Sequence, residues 1–581
     1  MPDKSDKSAD VPQHESMIEG GVAVASGQQV VAGGGGQVAS GVPRPGVPPR
    51  PPSFFERRWP GPNGPARPVV LGAVAVAAVV AAFSVPFDRP GLGWLVAVLA
   101  ATAALVPAGT GHRNPAPDGS THGPVPDPPP GPISSPETTV RTAARPDATG
   151  APGRAAGRAP GRARLVWATA TIALVSVGYV RAAGWLFVLC LLAAVVTGVL
   201  AVAGGRTPLG MLTAASITPA APFRALLWAG RGLPRSGPGG STVGRGLATV
   251  AASVALLLVF GLLFSSADAV FADLVTDLLP EVSVGATVGW LFRCALIGAG
   301  LLGAAYLLAA PADLDGLRAA PARPVRRLEW VVPLALLDAL FAAFVLVQLT
   351  VLFGGSAHVL RTAGLSYAQY ARGGFWQLLA VSALTLLVIA GTARWAPRTT
   401  RADRLLFRLL LGTLTALSLV VVASALYRMQ VYADAYGATR LRLVVAAVEL
   451  WLGALFVLVG VAVVRLRAGW LPPLVVGTAV LALLGLAAVN PDRLIAERNV
   501  DRYRLTGMID VEYVSRLSAD AVPALDRLPE PLRSCALRDI AFELPIDHVR
   551  TANLGRAAAR ELLGSAPTGA TALTCPTPRY R

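Results

Sequence analysis

The residues of this chain whose types and spacing could do chemistry lie at or inside hydrocarbon-like stretches. In YRMQVYADAYGATRLR, Tyr427 to Arg442, the side chains Arg428, Tyr432, Tyr436 and Arg440 recur every fourth residue. On a helix that spacing makes one stripe. Two guanidiniums and two phenols side by side suit an anionic group, such as a lipid headgroup, at a membrane surface or mouth. LSYAQYARGGFWQ repeats the character in Tyr367, Tyr370 and Arg372. Both segments also read as an interfacial aromatic belt with helices lying flat, the reading taken first, although spacing alone does not decide between the two.

A second set falls at membrane depth: Arg293 in GWLFRCALIG, Asp338 in PLALLDALFAAF, Gln348 ten residues further on, and Glu449 in VVAAVELWLG. An ionised group there costs several kcal/mol unless it is paired or hydrated. Counted at 1.5 Å per residue, Arg293 and Glu449 reach similar depths of roughly 10 Å from one face, so they are a candidate ion pair. Asp338 enters from the other face with no opposite charge at its level. A snorkelling arginine and acids that only join helices would explain the same residues without a polar path.

No GxSxG elbow, HExxH, CxxC pair or dinucleotide fingerprint is present, so no catalytic residue is assigned. The histidines, His14, His112, His122, His358 and His548, are scattered, and neither a metal nor a cofactor is expected. GGGG at Gly33 to Gly36 lacks the GK[ST] of a phosphate loop.

The elements that must position these groups are membrane spans. With 53% hydrophobic and 15% charged residues in 581, the chain lies outside the soluble range. A net charge of +17 would suggest nucleic acid in a soluble protein, but here the arginines sit in loops between apolar runs, so no nucleic-acid partner is expected. The expected fold is an all-α polytopic transmembrane bundle of about 11 spans with a small C-terminal helical domain. The spans lie at about 69–87, 91–108, 165–181, 184–204, 246–265, 287–309, 330–353, 374–393, 405–426, 442–464 and 470–489.

Residues 1–67 read as a disordered Pro/Gly-rich tail, 68–108 as two N-terminal spans, 109–163 as a disordered Pro/Gly/Arg-rich linker, and 164–489 as the main bundle. The first apolar run reads as an uncleaved signal-anchor. Arginines concentrate in alternate loops, which places the N-terminus in the cytoplasm and residues 490–581 outside it. That last segment carries 13 Arg against 12 acids, and Asn490–Pro491 reads as an N-cap and first-turn pair. Cys535 and Cys575, both in it, could form a disulfide in an oxidising exterior, while Cys190 and Cys294 sit in spans as small apolar side chains.

The segments EWVVPLALLDALFAAFVLVQLTVLFGG, GLSYAQYARGGFWQL, YRMQVYADAYGATRLR, NPDRLIAERNVDRY and DVEYVSRLSADAVPAL resemble those of a bacterial polytopic membrane family, domain of unknown function 4153/4173, from about residue 245 to 560. The resemblance implies a multi-span membrane protein and no catalytic residue. Where Gln369 and Gly373 stand, the family pattern more often has an acid or a second Arg, which weakens a catalytic role for that loop. The function expected first is a non-enzymatic envelope sensor, scaffold or regulator in the cell membrane, with the lipid bilayer, an envelope protein or anionic lipid headgroups as partners. A transporter or flippase comes second. A membrane enzyme using the Tyr/Arg island with Asp492, Glu497 and Asp501 comes third.

Overall fold

The computed structural model describes residues 59–109, 160–232, 284–353 (without 318, 319, 321, 322 and 324) and 367–564, with single positions between 249 and 268. The expected tail to residue 58, nearly all of the 109–163 linker and Cys575 lie outside these residues.

The described chain is all-α, without a strand. Its membrane part runs α1 Pro68–Ser84, α2 Leu92–Gly109, α3 Pro160–Val180, α4 Gly184–Ala203, α5 Pro208–Gly232, α6 Val284–Ala309, α7 Arg327–Phe353, α8 Tyr367–Trp395, α9 Arg401–Tyr436, α10 Arg440–Arg465 and α11 Leu471–Val489. Nine of these, α2 to α4 and α6 to α11, are long and apolar enough to cross a membrane, and α1 is a shorter apolar helix. They match ten of the expected spans. The remaining one, about 246–265, lies mostly outside the described residues, and its described positions, such as Phe260 and Phe264, are helical.

Helix α5 was expected to be an arginine-rich loop. Its buried residues, Gly210, Ala214, Ile217, Ala221, Ala225 and Trp228, recur at helical spacing and form one stripe. Pro219 and Pro222 inside it hide that period in the sequence. The stripe packs on α6, where Pro222 lies so near Gly303 that an added Cβ would meet the ring at 2.8 Å. Both ends of α5 lie at one face, Gly210 against Leu314 and Gly232 against Ala66.

Helix α6 starts at the other face. Trp290 packs on Phe83 and Arg293 lies over Phe87, both at the end of α1, whereas Tyr306 meets Trp59 and Trp228. The chain therefore changes face between Gly232 and Val284. At the end of the expected tail Trp59 is buried, edge-on to Tyr306 at 5.7 Å and with Arg224 over its ring at 4.3 Å, because one indole provides the apolar area that the surrounding prolines lack.

Two sub-bundles result. Helices α1 to α6 pack mainly among themselves, α7 to α10 likewise, and α11 joins them by touching α3, α4 and α10. Large apolar side chains such as Phe223, Leu336, Leu387 and Leu450 point outward, as lipid-facing residues must.

The last part of the chain is a helical domain: α12 Pro491–Thr506, α13 Val511–Ser515, a 3₁₀ turn Ala519–Ala521, α14 Val522–Leu525, α15 Leu532–Glu543 and α16 Leu554–Gly564. Ile495, Val500, Val514, Val522, Leu525, Leu537 and Ala559 form its core. Asn490 was expected to cap α12 with its side chain; instead it adopts a left-handed conformation (φ +57°) between α11 and α12 and makes no cap bond. Asn tolerates that conformation better than most residues, so here it turns the chain sharply rather than capping it.

Candidate functional site

Polar groups concentrate in two places: the face of the bundle that carries the C-terminal domain, and the interior of α7 to α10. At the domain face the centre is Asp492, which is fully buried. It accepts from Arg440 Nε and Nη2 at 2.9 and 2.7 Å, from the Trp185 indole N–H at 3.2 Å and from the Ser518 backbone N–H at 2.9 Å. One carboxylate thus ties α10, α4 and two segments of the domain together. Burial alone would push the Asp492 carboxyl up, but the Arg440 and Ser518 donors outweigh it and hold the group below its ordinary value.

Around it the domain supplies partners to helix ends that would otherwise be orphaned. Asp520 accepts from the backbone N–H groups of Ala182 and Ala183 at 2.7 and 3.2 Å, serving α4, whose own N-cap residue Ala183 makes no side-chain cap bond. Burial, the leading influence, keeps the Asp520 carboxyl above its usual value despite those donors. The Asn553 amide donates to Gly178 O and Arg181 O at the end of α3, and Arg550 donates to Phe83 O at the end of α1. The Leu92 and Gly93 N–H groups donate to Ala552 O and Arg550 O, and Arg181 caps α11 through Ala487 O and Ala488 O. Buried Arg556 is held by Asp547 through two contacts of 3.0 and 3.1 Å.

Sequence reading missed Asp520, Asn553, Asp547 and Arg181. Asp520 and Asn553 each precede a helix, so they look like local caps. Only the fold sends them to helices more than 300 residues away.

The Tyr/Arg stripe is cut. α9 stops at Tyr436, Gly437 takes φ +84°, and Thr439 caps a new helix by accepting from Arg442 N–H, so Arg440 is not on the helix that carries Arg428 and Tyr432. Arg440 does meet an anionic group bidentately, and that group is Asp492 of its own chain. Arg428 donates to Gln348 Oε1, the Tyr432 and Tyr436 rings stack at 5.0 Å, and Arg442 covers Tyr432 at 4.3 Å. The side chains of Tyr367, Tyr370 and Arg372 lie outside the described residues, although their backbone opens α8. Among the acids of the C-terminal domain expected to join the Tyr/Arg island, Glu497 pairs with Arg493 and Asp501 with Arg504.

The candidate Arg293–Glu449 pair does not form. The two side chains belong to different sub-bundles: α6 packs on α1, α2, α4 and α5, and α10 on α8, α9, α11 and α12. Arg293 donates to Gly289 O on its own helix and lies 5.7 Å from the Phe87 ring. Glu449 is 1% exposed, and neither of its carboxylate oxygens has a hydrogen-bond partner among the described residues.

Asp338 is likewise buried, and its Oδ1 has no partner among the described residues. Arg327 meets Asp403, and Gln348 meets Ser424, at the same offset of 76 residues, so α7 and α9 run parallel in one register. That register sets Asp338 level with Leu414, beside buried Thr415 and one turn from buried Ser418. The Val325 N–H to Trp395 O bond fixes the antiparallel register of α8, which brings buried Ser382 to the same level, with Thr385 a turn away. The hydroxyls of Thr385, Thr415 and Ser418 donate to carbonyls one turn back, which leaves lone pairs as acceptors.

Across α9 and α10, Gly453 approaches Val422 and Gly460 approaches Thr415, so Glu449 lies a turn nearer the domain, level with Ala425 and Leu426. Counted by level along α9, Asp338, Gln348, Ser424, Arg428 and Glu449 form a ladder in height, with Asp338 and Glu449 roughly 18 Å apart at 1.5 Å per residue. This ladder is what the four intramembrane candidates become, with Arg293 excluded from it. Among the described residues no group of three His, Cys, Asp or Glu is placed to hold a metal.

Cys190 and Cys294 are free thiols, and buried Cys535 is disulfide-bonded; its expected partner Cys575 lies outside the described residues. No curated protein and no solved structure matches the chain. A family model, Domain of unknown function (DUF4153), matches residues 169–528, starting earlier and ending earlier than the resemblance read from the motifs. Ladder, Arg440–Asp492 clasp and most of the membrane helices fall inside that match, and the chain belongs to the DUF4153 family.

Proposed function

We propose that this multi-pass membrane protein conducts a proton or a small cation along the polar ladder of α7 to α10, as an ion-coupled transporter. The observation that carries the reading is the pair of buried carboxyls, Asp338 and Glu449, with oxygens that lack partners among the described residues. Elsewhere in the chain buried carboxylates are met by donors, as Asp492 and Asp547 are. A carboxyl left unmatched at membrane depth is costly, and a transferable proton or a passing cation offsets that cost.

Sidedness follows the arginines. Arg327, Arg394, Arg398, Arg404 and Arg465 lie at the face opposite the C-terminal domain, which supports a cytoplasmic face there and a domain outside the cell membrane. A disulfide at Cys535 suits an oxidising exterior. The scaffold reading keeps one support, the strongly exposed Phe542, Ile546 and Val549 of the domain. Against it, the arginines of the Tyr/Arg island, Arg428, Arg440 and Arg442, are engaged within the chain.

The test is proton flux into pyranine-loaded proteoliposomes of the full chain under a potassium diffusion potential. Wild type should exceed empty vesicles, and Asp338→Asn should abolish the excess while eluting as a folded protein. Normal flux in Asp338→Asn would sink the reading.

A further inference from the structure

A cavity of about 650 Å³ opens away from the ladder, between α3, α4 and α11, at the face opposite the C-terminal domain. Its chemistry is graded. At the surface end stand Arg164, Arg206, Asp313 and Asp315, beside Gly204 and Gly205. Deeper, the walls are Val166, Ala170, Ala173, Leu200, Val480, Leu481 and Leu484.

From Pro473 to Leu484 the wall of α11 extends roughly 16 Å at 1.5 Å per residue, close to the depth of one leaflet in a hydrocarbon core about 30 Å thick. Arg164 lies beside Gly204 and within the field of Asp315, yet it makes no ion pair or hydrogen bond among the described residues. Asp315 is engaged by the Arg206 backbone N–H at 3.0 Å. Helix α11 is the least buried of the nine spanning helices, and Leu474 and Leu481 of its groove wall are exposed.

We propose that this groove binds a glycerophospholipid of the leaflet at that face, an acyl chain lying between α3 and α11 and the phosphate meeting Arg164. Three features single out a lipid. The groove is apolar along its depth, it carries a guanidinium without a partner at the headgroup level, and its length matches one leaflet. The flanking Asp313 and Asp315 favour a headgroup that also carries an ammonium, as phosphatidylethanolamine does.

The experiment is photo-crosslinking of the full chain in phosphatidylcholine vesicles that contain a small fraction of phosphatidylethanolamine with a diazirine on its acyl chain. Labelled peptides are read by mass spectrometry. Peptides covering 163–173 and 473–484 should be labelled above the lipid-facing side of α7, around Leu336 and Leu340. Arg164→Gln should weaken the groove signal roughly tenfold in probe concentration, the loss expected for one charge-assisted hydrogen bond, and leave the α7 signal unchanged. Gly477→Leu is a second variant that needs no rearrangement, since nothing lies within 4 Å of a Cβ built there, and it should fill the groove and suppress labelling from the apolar side. Groove labelling no higher than α7, or unaltered in both variants, would overturn the proposal.

Discussion

The domain face and the interior of α7 to α10 handle the same residue type in opposite ways. At the domain face each buried acid has donors: Asp492 has four, Asp520 has two backbone N–H groups, and Asp547 has Arg556. In the interior, Glu449 has none among the described residues and Asp338 keeps one oxygen bare. A buried charge that is matched on all sides is a fastening; it raises specificity and fixes geometry. One that is left unmatched adds no stability, so its presence needs another explanation, which the proposed transport would supply.

The largest expected effect breaks the first half of the comparison. Asp492→Ala leaves the Arg440 guanidinium, the Trp185 indole N–H and the Ser518 N–H without their acceptor, and should cost about 3–5 kcal/mol. Thermal unfolding in detergent should show it, and limited proteolysis should release residues beyond 490 first. An unchanged transition would mean that the clasp does not hold the domain.

In the interior the sign should reverse. Glu449→Leu removes an unpartnered buried carboxyl and should be neutral or stabilising by about 1–2 kcal/mol, while proton flux disappears. A strong destabilisation would reveal an unseen partner and end the contrast between the two regions.

Arg440→Lys sharpens the geometry of the clasp. Lysine keeps the charge but loses the two-pronged contact with Asp492, so a cost of about 1–2 kcal/mol is expected in the same unfolding assay. The smallest effect is that of Arg293→Leu. That arginine lies over Phe87 and bonds only its own helix, so its removal should shift stability by less than about 1 kcal/mol and leave flux intact.

Acid should separate the two acids of the domain face. The Asp492 carboxyl is held below its ordinary 3.8, so its contribution to docking is complete above that pH and is lost as the pH falls through the folded value. Asp520 is held above 3.8, so its contribution runs the other way, greatest in acid and reduced as the pH rises through its folded value. Asp492→Asn should therefore remove the loss of domain docking expected in acid, and Asp520→Asn should not.

Much of this architecture was legible in the sequence because runs of about 20 apolar residues have few alternatives to spanning a bilayer. α5 was not legible, since its buried stripe is mostly Ala and Gly interrupted by prolines, which lowers its mean hydropathy without destroying its face. The site was only half legible. Asp338, Gln348 and Glu449 stood out by their surroundings, but depth alone could not say which helices would be neighbours, so Arg293 was matched with Glu449 across two sub-bundles. The every-fourth-residue rule failed at Gly437, where a positive φ ends the helix directly after Tyr436 and leaves Arg440, on the next helix, facing Asp492.

The most direct test of the contrast is to measure stability and proton flux on one reconstituted preparation of Glu449→Gln. An unchanged or higher unfolding temperature together with lost flux is the predicted result. Flux at the wild-type level in a folded Glu449→Gln protein would contradict it, and would make Glu449 a tolerated residue of the bundle rather than a step on a path.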